Sequence, residues 1–199
     1  FILAMLYKEG EMGVDHGGRR IIKKNKIIAD SHPAAAFHYG LACYNDTGVN
    51  KDDNAAFYYM QKAANCGLPS AQYTLGFFYY NGIGVRSNTD SALELFKASA
   101  KNNYVQAFPA IATISMKRHQ DSSAVKWLEK AADYYPDCHI KLASLYAIGK
   151  GVNQDYEKSW RHVKLAGQNI STLNSKNSSD IHTLIYDLGV KFAENIKEY

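Results

Sequence analysis

Apolar and small residues recur along the chain at spacings of three, four and seven rather than two. Such spacings fall on one face of an α-helix, whereas a half-buried strand needs strict alternation. One set reads Ala35, Phe37, Tyr39, Gly40 and Cys43, and returns as Ala71, Tyr73, Leu75, Gly76 and Tyr79, then as Cys138, Ile140, Leu142, Ala143 and Tyr146. This pattern predicts the first helix of a repeating unit, helix A. A second set reads Ala56, Tyr59, Ala63 and Ala64, then Ala92, Leu95, Ser99 and Ala100, then Ala124, Trp127, Ala131 and Ala132, and more loosely Ser159, His162, Ala166 and Gly167. It predicts helix B. Small residues at Gly40, Gly76, Ala112 and Ala143 allow two helix backbones to approach closely, so each unit is expected to be an antiparallel helix pair.

A polar, glycine-bearing phrase separates the two sets. It reads Gly82, Ile83, Gly84, Val85, again Gly149, Lys150, Gly151, Val152, and in reduced form Thr47, Gly48, Val49. Glycine supplies the positive φ that stops a helix. Asp52, Asn88 and Asp155, three residues after each valine, stand where a side chain can cap helix B. Gly48 and Gly84 are 84 − 48 = 36 residues apart, and Gly84 and Gly151 are 151 − 84 = 67 apart, two steps less a small deletion. The copy between them, Ala107 to Ala132, has Pro109, Ser115 and no glycine turn, with a connection around Lys117 to Gln120 about four residues shorter. Local irregularity is expected there. A helix pair this small cannot bury its apolar face alone, so the units must stack.

The run from Ala71 to Val85, A-x-Y-x-L-G-x-x-Y-x-x-G-x-G-V, followed by A-x-x-L-x-x-x-S-A from Ala92, resembles the Sel-one-like repeat, a relative of the tetratricopeptide repeat. The resemblance covers nearly all of residues 1–167. It implies an all-α fold, an α-solenoid of stacked antiparallel helix pairs forming a tetratricopeptide-like superhelix. The array comprises a partial repeat over 1–33 and repeats at about 34–69, 70–105, 106–136 and 137–169. A Ser-, Asn- and Thr-rich connector over 170–179 then leads to a helix over 180–199, with Ile181, Leu184, Ile185, Leu188, Phe192 and Ile196 on one face, expected to cap the last repeat, with half of a further repeat or a docking helix for a partner as the alternatives. Leu3, Ala4, Tyr7 and Gly10 read as the second half of a helix A, so a cut first repeat and further repeats upstream in a longer parent are expected.

Charge narrows the partners. The 23 basic and 19 acidic side chains leave a net charge of +4 that is spread along the chain, too mild to imply nucleic acid. The one local concentration, Arg19, Arg20, Lys23, Lys24 and Lys26, reads either as a solvated helix face or as a patch for an anionic surface or a transport receptor. No apolar stretch reaches the roughly 18 residues that would cross a bilayer, so this segment is not expected to insert in a membrane, and cytosolic and lumenal or secreted locations both stay open.

Chemistry is sparse. Cys43, Cys66 and Cys138 lack CxxC spacing, and no two histidines stand as HxxxH beside a carboxylate, so neither a disulfide framework nor a metal site is expected. Cys138 and His139 are adjacent, but neighbours on a helix point about 100° apart. The GxGV phrase lacks the lysine of a phosphate loop. We therefore expect no catalytic residue, metal or cofactor.

Tetratricopeptide-like stacks line their concave groove with helix A. By that resemblance the groove receives Phe37, Leu41, Tyr44 and Asn45 from one unit, Tyr73, Phe77, Tyr80 and Asn81 from the next, and Thr113, Met116 and Lys117 from the third. Aromatic side chains offer large contact area with few rotors to freeze. The expected function is a non-catalytic scaffold or adaptor that binds a partner protein or peptide, as a regulatory subunit of a larger complex. Two alternatives stand beside it: hydrolase-type activity, as in cysteine-rich relatives, and a purely structural spacer.

Overall fold

The computed structural model describes residues 27–168 together with Thr183, Tyr186 and Val190. The basic cluster, residues 1–26 of the cut first repeat, the connector and nearly all of the expected capping helix lie outside the described residues; Thr183, Tyr186 and Val190 are helical and exposed. Among the described residues every regular element is a helix. After a helical stretch over residues 27–31 come α1 (Pro33–Asn45), α2 (Asp53–Asn65), α3 (Pro69–Asn81), α4 (Thr89–Lys101), α5 (Ala107–Lys117), α6 (Asp121–Ala132), α7 (Asp137–Ile148) and α8 (Tyr156–Gln168). They pair as four hairpins, α1/α2, α3/α4, α5/α6 and α7/α8. The chain divides into two compact units between Tyr104 and Val105, each containing two of these hairpins. Within each unit the hairpins stack, α2 on α3 and α6 on α7, so the architecture is the all-α solenoid type that the sequence predicts.

Local chemistry explains the helix ends. Pro33 and Pro69 open α1 and α3, where a missing N–H leaves nothing unsatisfied. The Asp52 and Asn88 side chains each accept two backbone N–H groups of the following helix, and Asp155 Oδ1 accepts that of Lys158. Each capping residue also donates its own N–H to helix A of its hairpin: Asp52 to Cys43 O, Asn88 to Tyr79 O and Asp155 to Tyr146 O, at 2.8–3.0 Å. These turns are thus braced to the helix they leave. Gly82 and Gly149 end α3 and α7 in the left-handed region at φ 74° and 69°. Asp46 does the same for α1 at φ 56°, its side chain accepting from Lys51 N.

The third hairpin departs as expected, but only in its turn. Three residues, Arg118 to Gln120, join α5 to α6, with His119 at φ 57° and no side-chain cap from Gln120. Helix α5 itself is continuous. Pro109 falls in its first turn, where a backbone N–H has no partner inside the helix, so no kink follows.

Burial follows a size rule repeated in each pair. A Cβ on Gly76 would stand 2.9 Å from the Phe96 ring, and one on Gly40 would stand 3.4 Å from Met60 Cε and 3.1 Å from Ala56 O. The corresponding residues are Ala112 with Leu128 and Ala143 with Val163, all buried. Glycine therefore goes with the larger residue at the matching place of helix B and alanine with the smaller. Buried Ser99 and Ser159 tie the two helices of their pairs by donating at 2.7 Å to Pro69 O and Ala143 O.

The second glycine of the turn has a different task. A Cβ on Gly84 would overlap the Asp53 carbonyl oxygen at the start of α2 and press on Phe57, and one on Gly151 would press on Asp121 at the start of α6. In both units this glycine seats one hairpin's turn against the hairpin before it. Phe57 packs edge-on to Tyr79 at 5.3 Å across the same α2–α3 seam.

The stripe read from sequence needs one correction. It names Tyr79 for the core of α3, yet Phe78 is the fully buried residue while Tyr79 stays half-buried. Helix α3 lies between α2 and α4, so its covered surface is wider than a single stripe.

Candidate partner-binding surface

None of the eleven residues assigned to the groove is buried. In the first unit Phe37, Leu41 and Tyr44 are half-buried and pack on the core that contains Ala36, Cys43 and Phe78. Tyr44 lies 5.2 Å from Phe78, ring to ring. Tyr73 is held between Phe96 and Tyr104, both at 5.5 Å, which makes it part of the α3/α4 packing. Tyr80 is half-buried and Asn45 exposed. Asn81 is exposed too, with its side-chain amide donating to Phe77 O at 2.9 Å and so closing its own helix. Phe77 is 37% exposed. Its neighbour Phe78 is 0% exposed and fills the core. The aromatic face of α3 thus exceeds what packing demands.

In the second unit Thr113 is half-buried and donates to Pro109 O at 2.8 Å, Met116 is half-buried and Lys117 exposed. Ile148 of α7, 59% exposed, occupies the place that Asn45, Asn81 and Lys117 hold in the other pairs, and the sequence reading did not single it out. Glu129 and Asp133 belong to a shallow depression along α6 that also includes Lys126, Trp127 and Lys130, the Lys130 ammonium 4.7 Å from the Trp127 ring centre.

The titratable groups of the last hairpin meet in a way the sequence reading missed. His139 of α7 and His162 of α8 bring their Nδ1 atoms to 3.0 Å. The Tyr146 ring stacks on His162 at 5.7 Å and 14°, and its hydroxyl donates to Glu129 Oε1 at 2.9 Å. Burial lowers the pKa of both imidazoles; Asp133 opposes this at His139, while at His162 the pairing with His139 adds to it. A signal was present: His162 holds the helix-B stripe position that Tyr59, Leu95 and Trp127 hold elsewhere, so it had to point at its own helix A. Cys138 is buried and its thiol is pushed up to about 11, chiefly by burial. That leaves little thiolate near neutral pH, and His139 turns to His162.

Among the described residues no helix is long and apolar enough to cross a membrane, and no group of three or more His, Cys, Asp or Glu stands as a metal cluster.

Stacked helical hairpins with a recurring GxGV turn define a class, the short-repeat α-solenoids. Within it, the Sel1 repeat pattern matches residues 33–68, 69–104, 116–133 and 136–169, and the chain belongs to the Sel1 repeat family. It is similar to an uncharacterized protein of Neisseria meningitidis serogroup B, 32% identical over 129 residues, which are 64% of this chain and 27% of that protein. It is also similar to the chitin synthase regulator SKT5 of Saccharomyces cerevisiae, 35% identical over 90 residues, 42% of this chain and 13% of the regulator. The matched segments thus span well under a third of those relatives. Two solved structures share the fold. A Sel1 repeat protein from Oxalobacter formigenes has a TM-score of 0.66 at 22% identity, covering 76% of this chain and 69% of that one. A protective antigen of uropathogenic Escherichia coli with an SLR fold has a TM-score of 0.74 at 19% identity, covering 96% of this chain and 45% of that one.

Proposed function

We propose that this chain is a non-catalytic adaptor that binds a partner protein or peptide on the exposed face of its helix A elements, with Phe77 as the anchor and Leu41, Tyr44 and Tyr80 beside it. The observation that carries this reading is the adjacent pair Phe77 and Phe78, one exposed and one buried. The exposed part of the Phe77 side chain gains when a partner covers it, by about 25 cal/mol per Å² removed from water. The first unit is favoured over the second, where Thr113 and Met116 stand in the places of Phe77 and Tyr80. A regulatory role within a larger complex is supported by the regulator among its relatives. The non-catalytic reading is supported by the burial and raised pKa of Cys138.

The test is recovery of partners from the source cell with the chain and with a Phe77→Ala, Tyr80→Ala double variant that keeps its helical circular dichroism. Loss of the same partners from the variant is expected. Unchanged recovery would remove the helix A face from consideration.

A further inference from the structure

The meeting of two half-buried imidazoles across one hairpin has no part in the adaptor surface. We propose that His139 and His162 form a two-nitrogen site for a divalent first-row transition ion of the Zn²⁺, Ni²⁺ or Cu²⁺ kind, which clips α7 to α8.

The geometry suits one ion. Two nitrogens bonded to the same ion at roughly 2.0–2.1 Å stand about 2.9 Å apart at a right angle and about 3.4 Å apart at the tetrahedral angle. The two Nδ1 atoms are 3.0 Å apart. They are also held in place. Stacking on Tyr146 fixes the His162 ring, Glu129 fixes the Tyr146 hydroxyl, and the buried bond from Ser159 to Ala143 O fixes the spacing of the two helices. The helices therefore need not move for the rings to share an ion, and each ring has only to turn its Nδ1 lone pair from the other nitrogen toward the ion. Carboxylates stand nearby to balance its charge, Asp133 acting on His139 and Glu129 on His162, against the opposing charge of Arg161.

With no ion bound, one ring donates its Nδ1 proton to the other. With an ion bound, both rings carry their proton on Nε2 and both Nδ1 lone pairs face the ion, so one proton changes ring nitrogen and none need leave. No third His, Cys, Asp or Glu among the described residues joins the pair as a ligand. Water completes the shell, and the site is weaker and more exchangeable than a four-ligand structural zinc centre. Imidazole ligands select these ions over Mg²⁺ and Ca²⁺.

The experiment titrates Ni²⁺, Zn²⁺ and, as control, Mg²⁺ into the full chain at pH 7.5 and follows the melting temperature and the imidazole NMR signals. Ni²⁺ and Zn²⁺ are expected to raise the melting temperature by about 2–4 °C, and paramagnetic Ni²⁺ to broaden the ring signals of His139 and His162 before those of the other histidines. Mg²⁺ should do neither. His139→Gln and His162→Gln should each abolish the shift, and His38→Gln, at an exposed site on α1, should retain it. If a Gln variant fails to fold, the order of broadening in the unaltered chain decides. Shifts that persist in both variants, or ring signals indifferent to Ni²⁺, would reduce the pair to a plain hydrogen bond and overturn the site.

Discussion

The turns of the second and third hairpins reverse the chain by different means. Between α3 and α4 run seven residues, Gly82 to Asn88, whereas Arg118, His119 and Gln120 suffice between α5 and α6. Both contain a residue that leaves helix A in the left-handed region, Gly82 in one and His119 in the other. Reversal therefore needs neither glycine nor length. What the longer turn adds is reach: its second glycine, Gly84, lies against the start of α2, and Gly151 repeats that contact at the start of α6. The GxGV phrase is best understood as a contact between hairpins.

The largest effect should come from filling that contact. Gly84→Ala and Gly151→Ala each combine about 1–2 kcal/mol for a left-handed non-glycine residue with about 1–3 kcal/mol for overpacking. Gly82→Ala, at φ 74° with no neighbouring atom nearer than 3.4 Å, should lose only the first amount. Urea midpoints compare the three. Equal losses would reduce the second glycine to a conformational role.

Next in size is the pairing of small with large residues inside a hairpin. Gly76→Ala should cost about 1–3 kcal/mol by crowding Phe96. Adding Phe96→Leu, the combination found at Ala112 and Leu128, should make the double variant more stable than the sum of the two single losses implies. Additive losses in such a cycle would mean that the two positions do not fit one another.

Caps give a smaller effect of either sign. Asn88→Ala should lose about 1 kcal/mol, and Gln120→Asp should gain about 0.5–1 kcal/mol by giving α6 the cap it lacks. A gain from Gln120→Asp as large as the loss from Asn88→Ala would show that the short turn accepts the same bracing as the long one. Thermal midpoints suffice to measure both.

The smallest perturbation is a thiol probe. In the folded chain exposed Cys66 should react first, while buried Cys43 and Cys138 wait for opening of the first and second units. Gly84→Ala should speed labelling of Cys43 more than of Cys138, and Gly151→Ala the reverse, as mass spectrometry would read. Equal acceleration of both would mean that opening is not confined to the unit altered.

Much of this was legible in the sequence, for physical reasons. Alanines and glycines at three- and four-residue spacing mark where helices touch, and Asp52, Asn88 and Asp155 announce caps because the orphan N–H groups of a helix start need an acceptor. Helix A was harder to read. Covered on two sides, α3 is apolar around most of its circumference, so periodicity alone does not separate Phe77 from Phe78 or demote Tyr73 to packing against Phe96 and Tyr104. The histidine pair needed the register of α7 on α8, which brings together residues 23 apart in the chain. The exposed place of Ile148 is likewise set by how the helices associate.

The matched pairs Gly40 with Met60, Gly76 with Phe96, Ala112 with Leu128 and Ala143 with Val163 carry a consequence for building new arrays from this chain. Averaging the four copies position by position would mix partners of unequal volume, leaving a void in one crossing and a collision in another. Whole hairpins, cut at Gly67 or Tyr104 and transplanted intact, keep their own fit and are the pieces to shuffle.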